Sequence, residues 1–107
     1  MEQPGSHFSY RVPVIHREDY TVTVQMLNLN DQMLPFIHCD ISKWNKGVLK
    51  SLKEDWKTYR TLVNSKFLAL NELDDEKHRK FLSSFEFTFL APLTCDDGVE
   101  RNLYISN

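Results

Sequence analysis

Residues 46–63, KGVLKSLKEDWKTYRTLV, decide how the chain folds. Val48, Leu49, Leu52, Trp56, Tyr59 and Val63 recur at spacings of three, four and seven, the period of an amphipathic helix with one buried face. Ser42 or Asn45 can cap its start. On the opposite face Lys46, Lys50, Lys53, Lys57 and Arg60 step by four, three, four and three residues. At about 100° per residue that spacing holds all five in one narrow band. Upstream the period is two. Phe8, Tyr10, Val12 and Val14 alternate with more polar neighbours, as do Tyr20, Val22, Val24 and Met26, and Leu34 to Ile41 is a short bounded apolar run. These stretches read as three strands with turns at His16 to Asp19 and Asn28 to Gln32, the first strand marked as an edge by Pro13. Downstream, Lys66 to Leu70 reads as a brief strand. The acids from Glu72 to Glu76 suit the positive end of a second helix, which Asp74 can cap and which buries Phe81, Leu82 and Phe85. Glu86 to Leu90 and Glu100 to Ser106 read as strands joined by the turn residues Asp96-Asp97-Gly98. The expected order is βββαβαββ, an α+β fold with two helices on a mixed, mainly antiparallel sheet.

With 107 residues there is room for one hydrophobic core, so we expect a flexible leader over residues 1–7 and a single domain over 8–107. An apolar content of 41% with 26% charged residues is ordinary for a globular chain. No apolar run approaches the roughly 18 to 20 residues of a membrane helix, and Met1 to His7 lack the build of a signal peptide, which points to a cytoplasmic protein without a membrane. Cys39 and Cys95 read as free thiols. His7, His16, His38 and His78 share no metal-ligand spacing with one another or with the cysteines, so no metal is expected. The formal net charge of −2 is unevenly spread. From Lys43 to Lys66 seven basic residues face two acids, a balance of +5, and the remainder therefore carries −7. Acids elsewhere in the chain argue against nucleic acid as the partner of the lysine band.

The element order is similar to that of the GNAT (N-acetyltransferase-like) fold from its second strand onward. His78 to Phe87, with its aromatic pair, resembles the family's late helix running into the next strand. Residues 34–107 also resemble small phage proteins with a GNAT-like core that are linked to virion assembly in short-tailed phages. The matching pieces are Phe36 to Ile41, Lys46 to Val63, His78 to Leu82, Asp97-Gly98 and Leu103 to Ile105. The enzymes of the family bind the acetyl-CoA pyrophosphate on backbone amides at the start of the long helix, through a Gln/Arg-x-x-Gly-x-Gly/Ala loop. The corresponding run is Trp44-Asn45-Lys46-Gly47-Val48-Leu49, in which Trp44 replaces the first residue, Gly47 survives and Leu49 stands where the second glycine belongs. The tyrosine that acts as general acid in many members falls on Leu82, which has no proton to give. The glycine that ends the helix falls on Glu86, and little chain precedes Phe8 to supply the family's first strand and helix pair.

The resemblance with these departures implies a non-catalytic, phage-type accessory protein, without cofactor, that binds another protein of host or phage. Two roles fit, inhibition of a host defence factor and assistance in virion assembly. The expected partner surface is Lys46, Lys50, Lys53, Lys57 and Arg60. Trp44, Phe85, Phe87 and Phe89 form an expected apolar interface, the three phenylalanines alternating along one strand face, to be covered by a second copy or a partner. The alternatives are an acetyl-CoA-dependent N-acetyltransferase holding the pyrophosphate at Gly47 and Val48, and a nucleic-acid binder using the lysine band.

Overall fold

The computed structural model describes residues 11–107 and shows the α+β order expected from the periodicities. It consists of β1 (Arg11–His16), β2 (Tyr20–Leu29), β3 (Gln32–Ile41), α1 (Lys46–Leu62), β4 (Leu68–Glu72), α2 (Glu76–Ser84), β5 (Phe87–Thr94) and β6 (Glu100–Ser106). The leader over residues 1–7 and the start of the first strand at Phe8 and Tyr10 lie outside the described residues. Two units can be distinguished, one reaching to Ser65 and the other spanning Lys66–Asn107.

In the first unit β1, β2 and β3 pair antiparallel in sequence order. The expected turn from Asn28 to Gln32 shrinks to Asn30 and Asp31, because both adopt positive φ, 53° and 65°. That is the requirement of a two-residue hairpin turn whose twist matches its strands, and Asn and Asp tolerate it best after glycine. The strands therefore run up to the turn, and Leu29 pairs with Gln32. Along β1 the register shifts between Pro13 and Ile15, where a residue without an N–H interrupts the ladder. Alternation puts Tyr20, Val22 and Val24 of β2 on one face with their partners Ile41, Cys39 and Ile37 of β3. α1 meets this face through Tyr20. The helix begins where Asn45 Oδ1 accepts from the Val48 amide at 2.9 Å. Ser42, the other cap candidate, is occupied instead with the Asp19 carbonyl, to which both its amide and its hydroxyl donate. Val48, Leu52 and Trp56 are the buried positions of α1.

In the second unit β6 lies between β4 and β5, antiparallel to both. The brief strand sits two residues later than its apolar residues suggest, at Leu68–Glu72, and is fastened at its start by Ser106, which exchanges hydrogen bonds with the Phe67 backbone at 2.8 and 2.9 Å. Asp75, not Asp74, caps α2: its Oδ1 accepts from the His78 amide at 3.0 Å. The reason is the turn before it, closed by the Asp75 amide donating to the Glu72 carbonyl, which delays the first helical residue to Glu76. Asn71, 1% exposed, donates to the Asp75 carbonyl at 3.2 Å and to His78 Nδ1 at 3.1 Å, so a buried amide of β4 holds the first turn of α2. His78 is therefore placed by β4 and stacks on Phe81. Of the three residues expected to be buried by this helix, Leu82 is, while Phe81 and Phe85 are half-buried with ring centroids 4.8 Å apart.

α2 turns into β5 through Glu86, whose φ of 66° is the left-handed conformation that follows many helix ends and normally takes glycine. A Cβ is strained there, and Glu86→Gly should raise stability by about 0.5–1 kcal/mol despite the added freedom of the unfolded chain. A higher urea midpoint at unchanged slope would register it; a lower midpoint would mean that the Glu86 side chain contributes more than its backbone costs.

Candidate functional site

The lysine band predicted from spacing is present on α1. Lys46, Lys50, Lys53 and Lys57 are exposed, whereas Arg60 is half-buried with its guanidinium carbon 5.6 Å from the centre of the Trp56 ring. From Lys46 to Lys57 the band runs about 16 Å along the helix. Lys46, Lys50 and Lys57 form no ion pair among the described residues. Trp44, 53% exposed, stands just before the helix start.

The three phenylalanines of the expected apolar interface do not continue one strand face. Phe85 is the C-terminal cap of α2 and not a strand residue, because the left-handed Glu86 separates it from β5. Phe87 is buried at 4% exposure, and only Phe89 is exposed, at 54%, with its edge against the Tyr104 ring. The register of β5 shifts between Phe89 and Ala91, and the extra residue, Leu90, is exposed as well.

Sequence reasoning missed a polar node in the first unit. Arg17, in the loop between β1 and β2, donates from Nε and Nη2 to the two carboxylate oxygens of Asp55 on α1, both at 2.8 Å. Tyr20, itself 4% exposed, donates its hydroxyl to Asp55 Oδ2 at 2.6 Å and accepts from Ser51 Oγ at 2.6 Å. The Arg17 guanidinium holds the Asp55 carboxyl below the usual carboxylate range, with the Tyr20 bond assisting. Burial first, and the bond to Asp55 second, push the Tyr20 phenol up, so it keeps its proton. One signal was legible: Asp55 is an acid on the apolar side of α1, between Leu52 and Tyr59, where a charge needs a partner. The partner's position was not, since Arg17 lies 38 residues away. Shallow depressions of about 340, 310 and 270 Å³ adjoin Arg17. The largest reaches Gly47 at the start of α1 and is also lined by Glu18 and Asp19.

His38 and Cys39 lie side by side on β3. His38 donates Nε2–H to Gln25 across the β2–β3 pair at 2.7 Å, and burial, with Arg11 adding, lowers its pKa. Cys39 and Cys95 are free, and burial pushes the Cys39 thiol up to about 11. Among the described residues no group of three or more His, Cys, Asp or Glu side chains could hold a metal ion, and no helix is long and apolar enough to cross a membrane. Compared with known proteins, the chain matches no family model, no curated protein and no solved structure.

Proposed function

We propose that the chain is a non-catalytic, phage-type accessory protein with a GNAT-like core that acts by binding another protein through the outer face of α1. The observation that carries this reading is the lysine band, exposed over three helical turns and, at Lys46, Lys50 and Lys57, without an internal counter-charge among the described residues. A band that served solubility alone would gain from Glu at i±4 positions, yet Glu54 is the one acid on this side of the helix. Assistance in virion assembly and inhibition of a host factor both fit such a surface.

Details at the start of α1 favour this reading over acetyl transfer. The Val48 amide, which a pyrophosphate would need, is engaged by Asn45. Gly47 has an explanation without a ligand, because a Cβ there would stand 3.2 Å from the capping Asn45 oxygen. Glu18 and Asp19 line the adjoining depression with charge that repels phosphates. Calorimetric titration with acetyl-CoA should therefore give only heats of dilution, and micromolar binding would overturn the non-catalytic reading. Changing Lys50, Lys53 and Lys57 together to Glu should leave the melting temperature within a few degrees, as exposed charges contribute little to stability. The same change should weaken capture of the partner by about tenfold or more; undiminished capture would remove the band from the argument.

A further inference from the structure

We infer that the lysine band of α1 is filled by the acidic patch of a second copy of this chain, so that the protein associates head to tail. The inference rests on the protein-binding reading above and names the partner. Its basis is charge complementarity between two exposed surfaces of one sequence. Glu72, Asp74, Asp75 and Glu76 end β4 and begin α2, while Asp96, Asp97 and Glu100 surround the β5–β6 turn. Arg101 draws the two stretches together: its Nε donates to Glu72 at 2.6 Å, and its terminal nitrogens donate to the two Asp97 oxygens at 3.2 and 3.1 Å. Glu72 and Asp97 keep 53% and 54% of their side chains exposed. Arg101 is the only base within residues 72–76 and 96–101, against seven acids, so the patch keeps a negative excess after these pairs are made.

Each surface also carries exposed apolar residues of the kind that an interface buries. Leu73 and Val99, 57% and 43% exposed, lie within the acidic stretches, and Trp44 stands at one end of the basic band. Lys77, Arg79 and Lys80 of α2 follow the acids, Arg79 paired with Glu76, and set the limit of the patch on that side. The two surfaces differ from each other, so each contact joins the band of one copy to the patch of the next. Contacts between exposed charges are screened beyond about 10 Å at 0.1 M salt, so the assembly should be strongly salt-dependent.

Sedimentation velocity on the full chain tests this. At about 50 mM salt the wild type should form species larger than a monomer that grow with concentration, and at about 500 mM it should be monomeric. The Lys50→Glu, Lys53→Glu, Lys57→Glu variant should be monomeric at both. So should Asp74→Lys, Asp96→Lys, Glu100→Lys, which leaves the Asp75 cap and both partners of Arg101 in place. An equimolar mixture of the two variants pairs the reversed band with the reversed patch and the native band with the native patch and should assemble again, which misfolded variants could not do. A wild type that stays monomeric at low salt, a variant that still assembles alone, or a mixture that stays monomeric would each overturn the inference. If the wild type is monomeric and yet binds another protein that the triple-Glu variant does not, self-association fails while the protein-binding reading stands.

Discussion

Trp56→Ala is expected to cost about 4 kcal/mol, the range found when a buried indole is truncated and the surroundings close only in part. Trp56 is 8% exposed, its ring lies 5.8 Å from that of Tyr59, and the Arg60 guanidinium rests over its face. The loss would take a large share of the 5–15 kcal/mol that holds a domain of this size. Urea denaturation should show it as a midpoint moved far down, or as a chain that no longer unfolds cooperatively. The contrast with the lysine band is informative: three charge reversals within two turns of Trp56 should hardly move the same curve. A Trp56→Ala change under about 1 kcal/mol would mean that α1 is held by something other than its buried row.

Asp55→Ala should cost about 2 kcal/mol, because the buried Tyr20 hydroxyl loses its acceptor and Arg17 loses both of its bonds. Tyr20→Phe should cost less, about 1 kcal/mol, since it removes the buried hydroxyl itself, with its bonds to Asp55 and Ser51, and leaves the Arg17 pair intact. A double-mutant cycle between positions 20 and 55 should show clear non-additivity. The pH dependence follows from the direction of the Asp55 shift. Its carboxyl is more acidic in the folded chain than the ordinary value of about 3.9, so its contribution is complete above that pH and is lost as pH falls through the lower folded value. The stability gap between wild type and Asp55→Asn should therefore be widest near neutrality and shrink below about pH 4. A gap independent of pH would show that the carboxylate's charge plays no part.

Local periodicity carried most of the architecture into the sequence. The change from period two to period 3.6 at Lys46 places α1 to within a residue, because the amphipathic spacing there agrees with a single cap at Asn45. Strand ends were less legible. Asn30 and Asp31 adopt positive φ and allow β2 and β3 to run further than the polar cluster suggests, and nothing in the composition of Asn28 to Gln32 distinguishes a two-residue turn from a longer one. The grouping of Phe85 with Phe87 and Phe89 failed for a similar reason: alternation in sequence implies a shared face only if the backbone stays extended, and Glu86 does not. Of the candidate surfaces, the lysine band was legible because all its members belong to one helix. The Arg17–Asp55–Tyr20 node was not, since it depends on which distant loop, strand and helix meet.

The β2–β3 hairpin has a further consequence, for the order in which the chain acquires structure. Its ten pairs run without a register break from Tyr20↔Ile41 to Leu29↔Gln32 around a turn of two residues, so every pairing is made within a 22-residue window of the chain. Closure of so short a segment takes on the order of microseconds, far faster than contacts that must wait for remote partners. A nascent chain would expose this ribbon complete, with Tyr20 already in position, before α1 has left the ribosome. Pulsed amide exchange during refolding should accordingly find β2 and β3 protected earliest, with Asp55 arriving to a receptor that is already assembled.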